Sequence, residues 1–137
     1  MSMTFEELCE KLEAKIVNSY EEGVSLVDAE MLAAEFLHAQ MQVSKELKEK
    51  DLSSRMRKSG LKAVRAAVYL EIVQKNEKKP TEAQIGAMID THELVSGEQQ
   101  GLDTSEVDRD DLERYYDIFG NAHVYFRGIA KGNRQFE

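Results

Sequence analysis

The sequence predicts an all-α protein: a hairpin of long, coiled-coil-like helices with a shorter helix beside it. The 137 residues include one proline and eight glycines, so little interrupts a helix. Charged residues make up 32% of the chain and aromatic residues 7%, a composition typical of exposed helices rather than of a thick globule. Apolar residues recur at spacings of three and four, and no segment alternates as a strand does. At this length we expect a single domain over residues 1–137.

The first half of the chain predicts two helices. Thr4 followed by Glu7 is a capping box, and the apolar residues after it predict a first helix over about residues 4–20. A second helix start follows, and nothing forces a stop before residue 76. We therefore expect a long helix over about residues 25–76, with Gly60 as a point where it could kink or break.

The second half predicts a short helix, a loop and a long helix. Thr81 with Gln84 is a capping box that begins the short helix. Residues 96–105 contain two glycines and few apolar residues, which predicts a loop or a frayed helix. The last helix is predicted over about residues 106–131, with Gly132 as its C-cap.

Apolar residues at helical spacing on both long helices are the candidates for the core and for subunit contacts. The stretch over residues 61–73 is apolar on most of its circumference, which predicts packing against more than one neighbour. In so small a chain some neighbours would be other subunits, so we expect a homo-oligomer. The candidates are Phe36, Val43, Leu47, Leu61, Val64, Val68, Ile72, Leu112, Phe119 and Phe126.

Basic residues are concentrated in one segment of an acidic chain. The net charge is -8, yet residues 45–79 hold 11 of the 18 Lys and Arg residues against five acids. Within this segment four basic residues are spaced 3, 4, 3 and form one stripe on a helix. The stripe and its neighbours are the candidate nucleic-acid-binding residues: Lys48, Arg55, Lys58, Lys62, Arg65 and Tyr69.

Two interpretations of this stripe remain open. Aligned Lys and Arg residues can follow a phosphate backbone, and Tyr69 could stack on an unpaired base of single-stranded DNA. Alternatively, the stripe is a solvated face or pairs with an acidic helix, in the same chain or in another subunit. The acidic residues 103–113 are one such partner. This second interpretation predicts a helical interaction or scaffold protein.

The sequence contains no pattern for catalysis, a metal or a cofactor. There is no glycine-rich phosphate cradle and no Ser/His/Asp arrangement, so we expect no enzyme and no cofactor. The histidines His38, His92 and His123 are far apart, and one cysteine gives no zinc pattern. The lone Cys9 predicts a reducing compartment. With no signal peptide and no apolar run near the ~18 residues that span a bilayer, we expect a cytoplasmic protein without membrane contact.

A family resemblance rests on Phe36-Leu37 followed by Val43, on residues 61–69 and on residues 134–137. In size and in its Lys/Arg/Ala-rich helix, the chain resembles the UvsY-type recombination mediators of tailed phages. The resemblance implies a homo-oligomer that binds single-stranded DNA and helps a recombinase replace the single-strand-binding protein, in the host cytoplasm if phage-encoded. By position, Lys58, Lys62 and Arg65 would contact phosphates. The chain departs from the family in being strongly acidic and in lacking tryptophan.

Overall fold

The computed structural model describes the backbone of residues 3–136 and the side chains of residues 3–132. These residues form helices and no strand, which confirms the all-α prediction. The long second helix covers almost the predicted range of 25–76, and it runs without a break through Gly60. The elements are α1 (Phe5–Glu22), α2 (Leu26–Lys75), α3 (Glu82–Asp90) and α4 (Glu93–Phe136).

Both predicted capping boxes are present. The Thr4 hydroxyl accepts a hydrogen bond from the Glu7 backbone N–H at 3.1 Å, and the Glu7 carboxylate accepts one from the Thr4 N–H at 3.4 Å. Thr81 and Gln84 repeat this exchange at 3.2 and 3.0 Å at the start of α3. These side chains satisfy backbone N–H groups that have no partner inside the helix, which fixes where each helix begins. Gly23 then ends α1 at a positive φ of 80°.

The loop predicted over residues 96–105 is wrong, because α4 begins at Glu93 and includes this segment. Leu102 and Ser105 of this segment are buried, on the same face of α4 as Val95 just before it. Gly101 lies inside this helix, and the end of the exposed Arg57 side chain lies over it, with Nη1 2.5 Å from the place that a Cβ would take. The glycine therefore marks a place where a side chain of α2 crosses α4 rather than a turn.

The predicted C-cap at Gly132 is also wrong, because α4 continues through it to Phe136. Residues 133–136 extend the helix by about one turn beyond Gly132. The side chains of residues 134–137, on which part of the family resemblance rests, lie outside the described ones.

The chain divides into two compact units where the sequence predicts one domain. The first unit combines the residues up to Leu47 with those from Asp111 onward, and the second is Lys48–Asp110. Helices α2 and α4 contribute to both units. Each unit has its own cluster of buried residues, and the two clusters differ in composition.

The first unit has an aromatic core contributed by α1, α2 and α4. The ring of Phe36 lies 5.7 Å from those of Phe119 and Phe126, both measured between centroids, and it stacks on Phe126. Val43 and Leu112 are buried in the same cluster, and Leu47 packs against it half-buried. The prediction that these residues form a core is therefore confirmed.

The second unit has a smaller, aliphatic core. Val68 of α2 is buried with Ile85 and Ile89 of α3 and Val95 of α4. The predicted core residues Leu61, Val64 and Ile72 pack against this cluster but stay half-buried, because the adjoining α3 is only nine residues long and covers little of the α2 surface. One buried contact in this unit is polar: the hydroxyls of Ser54 and Ser105 are 3.3 Å apart.

Candidate interaction surface on helix α2

The basic stripe predicted on α2 divides into two sets of residues. Arg65 donates a hydrogen bond from Nη2 to Asp90 Oδ1 at 2.9 Å, and Lys58 Nζ lies 3.7 Å from Glu106 Oε1. Both basic residues are on the edge of α2 that adjoins α3 and α4, because they follow the buried Ser54 by four and eleven residues, close to whole helical turns. Half of the stripe is therefore engaged with acids of its own unit.

The acidic segment 103–113 supplies several of these contacts. Glu106 is one of its acids, and Asp108 is another, with its Oδ2 4.0 Å from Nζ of Lys50 on α2. One contact has the opposite polarity, since Arg109 of α4 pairs with Asp51 of α2 at 2.5 Å. The partnership between the basic helix and this acidic segment, which the sequence allowed within a chain or between chains, occurs here inside one chain. Sequence reasoning missed the contribution of Arg109 to these contacts, because it lies within a segment that is acidic as a whole.

Tyr69 belongs to the second core rather than to a free surface. Its half-buried ring packs against the cluster around Val68. Its phenol group also lies close to Lys79, and it is the main cause of a raised pKa for that amine, with Glu82 as the second cause. The side chain is thus held on two sides, and the structure does not present it as an open platform for a nucleic-acid base.

Lys48, Arg55 and Lys62 form the other set, and we call them the exposed basic row. All three are exposed, and no ion pair among the side chains of residues 3–132 involves them. They are seven residues apart, so their charges lie about 10 Å from one another along the helix. Because seven residues are nearly two full turns, the three side chains remain on one side of α2.

An apolar line runs beside the exposed basic row, and we call it the exposed seam. Leu52, Met56 and Leu70 are 61%, 68% and 56% exposed, so the three large apolar side chains of this line are open to solvent. Spacings of 4, 3, 4, 3 and 4 along the seam are those of one side of a coiled-coil helix, with one polar residue, Ser59, among them. Its residues are Leu52, Met56, Ser59, Ala63, Ala66 and Leu70.

Sequence reasoning identified the charges of this surface but missed the seam. The signal was present, because residues 61–73 of α2 read as apolar on several sides. The structure shows that α2 has one apolar side in the second core and another open to solvent. A helix with two such sides has enough apolar surface for a second helical neighbour.

The structure gives no sign of a second kind of site within the described residues. No three His, Cys, Asp or Glu side chains between residues 3 and 132 converge as metal ligands would. His123 forms a 2.9 Å hydrogen bond through Nδ1 with the Ala33 carbonyl, a contact within the first unit. Cys9 is buried, and burial, followed by the nearby carboxylates of Glu13, Glu46 and Glu6, raises the pKa of its thiol to about 11. Such a thiol is protonated at neutral pH and is a poor nucleophile.

Comparison with known proteins gave no relative. No family model matches the chain, and neither a curated protein nor a solved structure resembles it significantly. The resemblance to the recombination mediators therefore stays a prediction. In the part of the chain that the structure describes, no helix has both the length and the apolar character needed to cross a membrane.

Proposed function

We propose that this chain is a non-enzymatic interaction module, which binds an acidic helical surface of a protein through the outer face of α2. That face consists of the exposed basic row and the exposed seam. The observation that carries the proposal is the division of the stripe: Lys58 and Arg65 pair inside the unit, while Lys48, Arg55 and Lys62 stay open beside apolar residues.

The spacing of the surface favours a helix as its partner. A seam with apolar residues at spacings of three and four packs against a second helix that has the same repeat. Basic residues every seven positions along one flank match acidic residues at the same interval on a partner helix. The apolar contact would supply most of the binding free energy, and the charges would favour acidic partners over basic ones.

Binding of single-stranded DNA, with a recombinase or a single-strand-binding protein as further partners, is the competing proposal. It loses support chiefly from Tyr69, which packs against the second core; the exposed ion pairs of Lys58 and Arg65 oppose it only weakly, at up to about 1 kcal/mol each. The three cations of the exposed basic row would still give a salt dependence with a log–log slope of about −2. The open apolar side chains beside them fit a protein helix better than a phosphate backbone.

A binding experiment with defined probes separates the two proposals. The first probe is a labelled 28-residue helical peptide with leucines along its seam and glutamates along its flanks, the second has lysines in place of the glutamates, and the third is single-stranded DNA. We expect fluorescence anisotropy to report binding of the acidic peptide alone. The triple variant Lys48→Glu/Arg55→Glu/Lys62→Glu should lose that binding and gain affinity for the basic peptide.

A control reverses exposed basic residues that belong neither to the row nor to the seam. Arg127 and Lys131 are exposed on α4 in the first unit, and reversing both to Glu should leave binding of the acidic peptide within about twofold. Binding of DNA but not of the acidic peptide, lost in the row variant, would replace this proposal with the nucleic-acid one. Equal binding of both peptides would show that the charges of the row do not select the partner.

A further inference from the structure

Helix α1 carries a line of exposed acidic and apolar residues, the two kinds of side chain that the outer face of α2 would bind. On α1, five exposed residues follow one another at spacings of 3, 4, 3 and 4, which places them on one line of the helix. Three are glutamates, and the two between them are apolar, with Val17 54% exposed. We call this line the acidic face of α1; it consists of Glu7, Glu10, Ala14, Val17 and Glu21.

The acidic face of α1 and the outer face of α2 match in length, and their charges are opposite at both ends, whereas Arg55 at the centre of the row has no glutamate at the centre of the α1 face. Glu7 and Glu21 are 14 residues apart, as are Lys48 and Lys62, so each charged row covers about 21 Å of helix. The acidic face has apolar side chains at its centre, and the seam has Leu52 and Met56 beside the centre of its row. Contact would therefore bring opposite charges together and remove apolar surface from water at the same time.

Self-pairing of α2 fits the same surface less well. An isologous contact between two copies of α2 would put the exposed basic row on both sides of the interface. Like charges brought together in this way oppose association. A contact between α2 of one copy and α1 of another brings opposite local charges together, which has to outweigh the repulsion between two copies that each carry a net charge of -8.

We infer that the partner of the outer face of α2 is a second copy of this chain, which contributes the acidic face of its α1. The inference rests on the proposed function, because it takes the outer face of α2 to be a docking surface. Two different surfaces meet, so the contact is heterologous, and each copy keeps one surface of each kind for further copies. Assembly should grow with protein concentration and weaken with salt.

The test uses the full chain and two charge-reversed variants, with mass measured by light scattering over a range of concentration and salt. The row variant is Lys48→Glu/Arg55→Glu/Lys62→Glu, and the α1 variant is Glu10→Lys/Glu21→Lys. Glu7 is left unchanged because its carboxylate caps α1. We expect the unaltered chain to exceed the mass of one chain at low salt and each variant alone to lose association about tenfold or more.

Mixing the two variants is the decisive step. The row variant keeps the acidic face of α1, and the α1 variant keeps the exposed basic row, so each supplies what the other lacks. We expect the equimolar mixture to regain the mass of the unaltered chain. Circular dichroism confirms helicity, and Lys48→Gln/Arg55→Gln/Lys62→Gln provides a second, milder row variant that should weaken association in the same direction.

Three results would overturn the inference. They are a mass of one chain for the unaltered protein at every concentration, an assembly that survives the row variant, and a mixture that does not reassociate. The acidic peptide probe then distinguishes failure of the self-association from failure of the docking function. If the chain is monomeric but binds the peptide, the docking function stands and the partner is another protein; if it neither binds the peptide nor associates, both fail.

Discussion

The two units of this chain use the same pair of long helices but hold them together differently. In the first unit, the core cluster of eleven buried residues includes Phe36, whose ring lies against those of Phe119 and Phe126. In the second, a cluster of four aliphatic residues forms the core, and the helix contact continues through paired serines and ion pairs. The difference indicates that burial of large apolar side chains contributes more to the first unit, whereas polar contacts account for more of the helix pairing in the second.

The ion pairs of the second unit add little to this balance. Lys50–Asp108, Lys58–Glu106 and Arg65–Asp90 all join side chains that are 41% or more exposed. Exposed pairs of this kind contribute between zero and about 1 kcal/mol each. These ion pairs contribute to specificity instead: charges at fixed points on α2 and α4 favour one register of the two helices over shifted registers.

The largest expected effect is the loss of an aromatic ring from the first core. Phe36 is fully buried between Phe119 and Phe126, so Phe36→Ala should lower the free energy of unfolding by about 3–5 kcal/mol. In the second unit, Val68→Ala removes less volume from a smaller cluster and should cost about 2 kcal/mol. Urea denaturation followed by circular dichroism measures both.

The neighbouring Leu37 gives the matched control, because it lies on the same helix and is 41% exposed. Leu37→Ala should stay within about 0.5 kcal/mol of the unaltered chain. Equal losses for Phe36→Ala and Val68→Ala would contradict the contrast between the two units.

A smaller effect on the free energy of unfolding is expected from the titration of Cys9. This cysteine is buried in the first core, and the second core contains no cysteine. Because folding raises the pKa of its thiol to about 11, the native state holds the proton longer than the unfolded state does. The resulting stability is fully present below about pH 9, the pKa of an unperturbed thiol, and is lost as pH rises through about 11. We expect a fall on the order of 2 kcal/mol over this range.

The variant Cys9→Ala isolates that contribution, since tyrosines and lysines titrate in the same range. The unaltered chain should lose more stability than Cys9→Ala between pH 8 and 11, as measured by urea denaturation at each pH. Parallel pH profiles for the two proteins would show that the thiol ionises in the folded state as readily as in the unfolded state.

The sequence alone was sufficient where periodicity and capping agree. Thr4 with Glu7 and Thr81 with Gln84 marked two helix starts correctly, and the long α2 was predicted to within one residue at each end. It misled at residues 96–105, where Gly97 and Gly101 suggest a loop. Local propensity could not show that this segment packs against α2, with Leu102 and Ser105 buried and the end of the Arg57 side chain over Gly101.

The sequence predicted which residues form the basic stripe, but not which of them pair with acids and which stay exposed. The spacing of Arg55, Lys58, Lys62 and Arg65 gives one stripe on a helix, and it treats all four as equivalent. Their separation depends on where α3 and α4 pack, which places Asp90 and Glu106 within reach of Arg65 and Lys58 only. That information lies in the tertiary contacts and not in the spacing of α2.

A further prediction concerns the buried serine pair of the second unit. Ser54 and Ser105 are 6% and 7% exposed, and their hydroxyls bond to each other. Ser54→Ala leaves the Ser105 hydroxyl buried without this partner, so it should cost about 1–2 kcal/mol. Ser54→Ala/Ser105→Ala removes both polar groups and should be less destabilised than either single variant. Thermal denaturation of the three proteins checks the order, and a double variant with the summed loss of both singles would contradict it.

The smallest effect is expected from the ion pair between Arg65 and Asp90, which also sharpens the distinction within the basic stripe. The two side chains are 41% and 65% exposed, so a double-mutant cycle with Arg65→Ala and Asp90→Ala should give a coupling free energy of about 0.2–1 kcal/mol. The same cycle with Arg55→Ala and Asp90→Ala should give none, because Arg55 belongs to the exposed row. Chemical denaturation at low and high salt measures both cycles, and the Arg65 coupling should shrink as salt rises. Coupling of Asp90 to Arg55 as strong as that to Arg65 would mean that the stripe is not divided, and the docking surface on α2 would then lose the observation on which it rests.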